Sequence, residues 1–391
     1  MLKMSSATAL FIALSLLSGM PSYADTLGPA QSYSELRMLA ESARDGDVLL
    51  VTGEFSAEGE EPLGSSVLLH ITSDRGKRAV VRHLSLSDIS VSFSDIDLVD
   101  TLTIEGVSNV ELLDGVTLIG AEGESGLVFN GSGTLLVDPG CQITGGAGAA
   151  GVTIAHQGGN FYASFEGDVR GGDGTVGGTG MIVSPLQRDG TMMIEGNVRG
   201  GDGSAIGGNG LNLYNLSGNA FVTVAGNMRG GRGPAGGDGM QIVSMEDNVS
   251  VGISGRIYGG RGTNYGGDAL MLMNAVGASS VNLTGAFAGG DATAQTGQPG
   301  QSLLIVGDSD NSHVRVGDCL LQDGENTFEY NRAEPDVTPL PEITSSVDDV
   351  TPLETPTPEP VPTEDPTSEP TEGPADTEAP ESTQSEAERG E

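Results

Sequence analysis

Ile194-Glu195-Gly196-Asn197-Val198-Arg199-Gly200-Gly201, Val224-Ala225-Gly226-Asn227-Met228-Arg229-Gly230-Gly231 and Ile253-Ser254-Gly255-Arg256-Ile257-Tyr258-Gly259-Gly260 are three copies of one motif. Each is a short β-like run ending in glycine, then three residues, then a glycine pair. Further copies occupy Phe165 to Gly172 and Leu283 to Gly290, and weaker ones surround Gly115, Gly140 and Gly317. The anchor glycines Gly167, Gly196, Gly226, Gly255 and Gly285 stand 29 or 30 residues apart. Self-similarity at such a period marks a solenoid, in which each repeat buries its apolar face only against its neighbours.

Every unit holds three strand-like pieces. The first follows a glycine-rich corner, as in Met181-Ile182-Val183, Leu211-Asn212-Leu213 and Met240-Gln241-Ile242-Val243. The second leads into the anchor glycine, with inward pairs Met192/Ile194, Val222/Val224, Val251/Ile253 and Val281/Leu283. The third is very short and centres on Val169, Val198, Met228, Ile257 or Phe287. Alternation within the pieces is that of a strand. Three strands and three corners per unit predict an all-β fold, a right-handed parallel β-helix with three-strand coils of about 30 residues. Corners need positive φ or close backbone approach, which accounts for many of the 62 glycines. A calcium-binding nonapeptide roll fits less well, because Asn212, Gln241 and Met271 stand where it requires Asp. Collagen requires glycine at every third position, which is not found here.

Upstream, Ser32 and Glu35 fit a capping box for a short amphipathic helix over Tyr33 to Ala43, with Leu36, Leu39, Ala40 and Ala43 on one side. This helix is expected to cap the first coil edge. Val67 to Ile119 reads as shorter coils of roughly 20 to 25 residues. The helix followed by Gly46-Asp47-Val48-Leu49-Leu50-Val51-Thr52-Gly53-Glu54-Phe55 resembles the usual lead-in of the pectate-lyase-like right-handed β-helix superfamily. The resemblance spans about Ser32 to Asn326 and is one of architecture. It implies a scaffold used by polysaccharide lyases, glycoside hydrolases and non-enzymatic adhesins.

The ends carry different information. Lys3, the apolar run from Ala7 to Leu17 and Ser22-Tyr23-Ala24 read as a signal peptide over residues 1–24. The solenoid with its cap is assigned to residues 25–330, and Leu320 to Tyr330 is expected to close its far end. Residues 331–391 are rich in Pro, Thr and Glu, with Arg389 the only base from Glu334 onward, and are expected to be a disordered acidic tail. Leu340-Pro341-Glu342-Ile343-Thr344 departs from the LPxTG sorting pattern, so sortase anchoring is not expected. A secreted or cell-surface location follows, with no transmembrane segment after signal cleavage. The net charge of −37 argues against nucleic acid and anionic membranes as partners. Cys141 and Cys319 are too far apart in the chain to make a disulfide framework and are expected to be free, buried thiols.

For chemistry, Glu166 and Glu195 share one repeat position, with Asp168 nearby. Asp173 and Asp202 share another. Arg170, Arg199 and Arg229 form a column, continued by Tyr258. Together these make a corner ladder that either faces a glycan or Ca²⁺, or is a solvated corner where acids and arginines neutralise one another. No catalytic residues, cofactor or metal ligands are assigned, Ca²⁺ at the corner being the one candidate. His70, His83, His156 and His313 lack metal-ligand spacing. The expectation is a secreted or surface structural and binding protein, adhesin-like, with an extracellular glycan or protein as ligand. The alternative is a polysaccharide lyase or glycoside hydrolase of the β-helix type.

Overall fold

The computed structural model describes residues 24–74, 77–156, 158–275 and 278–306, and the backbone of three further strands at 313–316, 319–320 and 327–328. The chain divides into Met1–Pro335 and Asp336–Glu391, and every described residue lies in the first. The expected signal peptide (except Ala24), the acidic tail and the side chain of Cys319 lie outside the described residues.

The fold is a parallel β-solenoid. One 21-stranded sheet takes two strands from most coils, and a ten-stranded sheet takes one strand from each of ten successive coils. The first and second pieces of the repeat both lie in the larger sheet, as in Met181–Leu186 and Thr191–Ile194. In the earlier coils the two halves are continuous, and Leu102–Leu112 and Leu127–Val137 each run through as one strand. Coil offsets there are shorter, as where Leu68 pairs with Ser90.

Pairing in register stacks like on like. The third piece builds an inner column, Leu118, Ile143, Val169, Val198, Met228, Ile257 and Phe287, paired rung by rung. All seven are buried. The inward pairs of the second piece are buried as well, from Met192/Ile194 through Val281/Leu283. Period-2 alternation therefore sends one set of side chains to the axis and leaves its neighbours on the surface.

The helix spans Tyr33–Ser42 and buries Tyr33, Leu36 and Ala40, with Leu39 and Ala43 packed at the margin. Ser32 caps it, its hydroxyl accepting from the Glu35 amide at 3.3 Å. The reciprocal half of the box is displaced by one residue, because the Glu35 carboxylate accepts from the Gln31 amide at 2.7 Å. A strand ahead of the helix, Thr26–Ala30, adds to the first rung parallel to Asp47–Val51. At the far end, pairing turns antiparallel: Thr327 and Phe328 face Leu304 and Leu303. This reversal interrupts the parallel stack in the segment expected to close it.

A fourth strand joins the expected three in the coils from Gly174 to Tyr265. It forms a separate four-stranded sheet of Gly174–Val176, Gly203–Ile206, Gly233–Ala235 and Gly262–Tyr265. The reason lies in the glycine pairs. In each coil the chain leaves the body at one pair and returns at the next, with the two arms touching. A Cβ on Gly230 would lie 1.9 Å from the Gly237 carbonyl oxygen, and one on Gly259 would lie 1.8 Å from that of Gly267. A zigzag of amide bonds runs through these waists. Gly201 donates to Gly178 at 2.8 Å, Gly208 to Gly201 at 2.8 Å, Gly231 to Gly208 at 2.7 Å and Gly237 to Gly231 at 3.0 Å. Backbone thus packs on backbone where any side chain would intrude. The loop beyond each waist carries an outward column of Val176, Ile206, Ala235 and Tyr265. Val176, Ile206 and Tyr265 are 53%, 48% and 58% exposed.

Candidate functional site

The predicted arginine column is present. Thr144, Arg170, Arg199, Arg229, Tyr258 and Ala288 pair in register on successive coils. Each sits at the outward end of a three-residue strand whose middle residue is buried. Arg170 donates through one nitrogen to both carboxylate oxygens of Asp173, at 2.8 and 2.6 Å. Arg199 does the same to Asp202, at 2.9 Å to each oxygen. These aspartates also tie the coils together: Asp173 accepts from the Asp202 amide at 2.6 Å, and Asp202 from the Arg232 amide at 2.7 Å. Burial pushes the Asp202 carboxyl up, but the Arg232 amide and the Arg199 charge outweigh it and hold the group below its ordinary range.

Glu166 and Glu195 occupy neighbouring coils, as their amides donate in turn to Val137 and Phe165. Sequence reasoning missed the third member, Asp138, one coil earlier. Burial, then Glu195, then Asp138 raise the Glu166 pKa; burial and Asp114 raise that of Asp138. A raised folded-state pKa means that the native state holds its proton more tightly than the unfolded chain. The associated stability is full below the unfolded value and is lost as pH rises through the folded one. Glu166→Gln should therefore raise stability at pH 7, read as a higher thermal midpoint, by a few tenths of a kcal/mol to about 1 kcal/mol for a partly exposed group. The gain should vanish below the carboxylate range. Melting curves from pH 3 to 8 check this, and a variant equal to the parent at every pH would contradict it.

Asp168 is not engaged by the arginines in the hydrogen bonds of this corner. It accepts from the Asn197 amide side chain at 2.7 Å, and Asn197 accepts from Asn227 at 2.8 Å, forming a side-chain ladder across three coils. A second ladder runs along the opposite glycine corner. Asn209 accepts from the Asp238 amide at 2.8 Å, Asp238 from Asp268 at 2.7 Å and Asp268 from Gln301 at 2.6 Å. Asn209, Asp238 and Asp268, each directly after a glycine pair, thus hold backbone. Among the described residues, no three His, Cys, Asp or Glu side chains are grouped so as to hold a metal ion.

The histidines do not converge. His70 lies between Ser92 and Ser94, at 2.8 and 3.1 Å, and burial lowers its pKa. His83 is 3.6 Å from Asp100. His156 is buried and stacks on Phe161, with ring centroids 5.1 Å apart. The His313 side chain is outside the described residues. Cys141 is a free, buried thiol whose sulfur donates to the carbonyls of Leu112 and Leu113; burial, then Asp138, push its pKa up to about 12. It is inert as a nucleophile near neutrality.

Sequence reasoning also missed Arg232 and Arg261. They take the corner position that Asp173 and Asp202 hold on the two preceding coils, directly after the glycine pair. The signal was available: Gly230-Gly231-Arg232-Gly233 and Gly259-Gly260-Arg261-Gly262 align with Gly171-Gly172-Asp173-Gly174 and Gly200-Gly201-Asp202-Gly203. An open groove of about 340 Å³ lies here, its side chains being Asp202, Arg232, Arg261, Thr263 and Thr293 over a glycine floor. No helix among the described residues is long and apolar enough to cross a membrane. Compared with known proteins, the chain matches no family model, no curated protein and no solved structure.

Proposed function

We propose that this protein is a secreted or cell-surface structural and binding scaffold of adhesin-like character, a stack of coils that presents repeated side-chain columns to an extracellular glycan or protein. The observation that carries the reading is the corner ladder. Arg170–Asp173 and Arg199–Asp202 form the same ion pair on adjacent coils, and each acid is also spent on the next coil's backbone. Groups committed to holding coils together are not poised to exchange protons with a substrate. The exposed column of Val176, Ile206 and Tyr265 supports a binding role, since in-register stacking sets apolar side chains on successive coils of one face. The pectate-lyase-like superfamily, which the chain resembles in architecture, includes non-enzymatic members of this kind.

A lyase or hydrolase is the competing reading, and the Asp138, Glu166 and Glu195 column is where it would act. Incubation of the mature protein with pectic, uronic and neutral polysaccharides should release no reducing ends and no unsaturated products. Turnover abolished by Glu166→Gln or Glu195→Gln would replace the scaffold reading with an enzymatic one. Binding to a glycan and extracellular-matrix array should be positive.

A further inference from the structure

We propose that the groove at Arg232 and Arg261 binds an anionic polysaccharide bearing carboxylate or sulfate groups. The proposal rests on the scaffold reading and names the ligand of one place on it. The corner position after the glycine pair reads Asp173, Asp202, Arg232, Arg261 and Asp291 on five successive coils. The position three residues earlier reads Arg170, Arg199, Arg229, Tyr258 and Ala288. On the first two coils acid meets base and the corner is neutral. On the next two the acid has become a base, so the corner carries a net positive charge.

This local inversion stands out in a chain of net charge −37. Arg232 and Arg261 stand one coil apart at the corner, and of the two it is Arg232 that has the Asp202 carboxylate beside it. The guanidinium group of Arg261 lines the groove and makes no ion pair with a described residue, so its donors face an anion lying along the groove, while Arg232 adds its charge from the preceding coil. Guanidinium groups fork onto carboxylate or sulfate through paired N–H donors.

The setting selects a glycan over a small buried anion. The groove is open, its floor is the backbone of Gly203, Gly233 and Gly262, and Thr263 and Thr293 supply hydroxyls. A shallow, hydroxylated trough suits a hydrated chain of sugars, whereas a compact ion is held by enclosure. Asp202 and Asp291 bound the positive stretch at its two ends, so it accommodates a short anionic segment.

The test uses titration calorimetry on the mature full chain, with heparin, polygalacturonate, dextran and inorganic phosphate as separate probes. Heparin or polygalacturonate should bind, more weakly as salt rises, and dextran should not. The double variant R232D/R261D places at both positions the residue that Asp173 and Asp202 already supply on neighbouring coils, so it should fold, and its melting profile is recorded beside the parent's. It should lose at least about tenfold in affinity, while Arg37→Gln on the N-terminal helix keeps full affinity. Equal binding by the double variant, or binding of phosphate but of neither polymer, would overturn the proposal. Failure of every polysaccharide would overturn it while leaving a scaffold for a protein ligand standing. Depolymerisation of either polymer would instead strike at the scaffold reading itself.

Discussion

Ile257→Asp lowers the stability of the solenoid by about 3–5 kcal/mol, measured as a fall in chemical denaturation midpoint. Ile257 is fully buried and pairs in register with Met228 on one side and Phe287 on the other. A carboxylate there has no cation or donor within the apolar column and must either remain charged in a low dielectric or take up a proton at a cost in free energy. The loss should spread to both neighbouring coils, since each repeat is held chiefly by those beside it. Arg256→Gln, on the exposed end of the same strand, should change stability by less than about 0.5 kcal/mol. Equal midpoints for the parent and Ile257→Asp would mean that the inner column is not apolar core.

Gly231→Val should be at least as damaging, with soluble expression lost or stability reduced by more than about 4 kcal/mol. A Cβ at this position would lie 1.9 Å from the carbonyl oxygen of Gly201 and 2.7 Å from its carbon. The obstacle is backbone, so no side-chain rotation relieves it, and the coils would have to part where Gly231 donates to Gly208. Gly252→Ala provides the contrast. Nothing lies within 4 Å of the added methyl group, and the residue belongs to the strand Ser250–Ile253. It should be neutral or slightly stabilising, because alanine loses less backbone entropy on folding. Similar melting points for the two variants would contradict a waist made by backbone contact.

The anchor glycines make the same point about what a glycine means. Gly226, Gly255 and Gly285 have ordinary negative or extended φ, yet a Cβ on each would fall 1.8 to 2.0 Å from the carbonyl oxygen of the anchor glycine one coil earlier. Positive φ and close approach are equally consistent with a repeated glycine in a sequence. Only the stacked coils show that approach is the operative cause here.

Several features followed from residues close together in the chain, and these were legible. Alternation identifies Val198, Met228 and Ile257 as inward, the 29 or 30 residue period sets them one above another, and Ser32 marks the start of the helix. The column of Arg170, Arg199, Arg229 and Tyr258 followed from the same period. What depended on the third dimension was hidden: the pinched loops that create a fourth strand, the committal of Asp173 and Asp202 to both a guanidinium and a neighbouring amide, and the place of Asp138 beside Glu166. Periodicity and capping are written in local spacing, because strand geometry itself has a short repeat. The approach of one backbone to another, and the charge a corner presents once its coils are stacked, arise between segments about one coil apart, and so only the tertiary structure decided them.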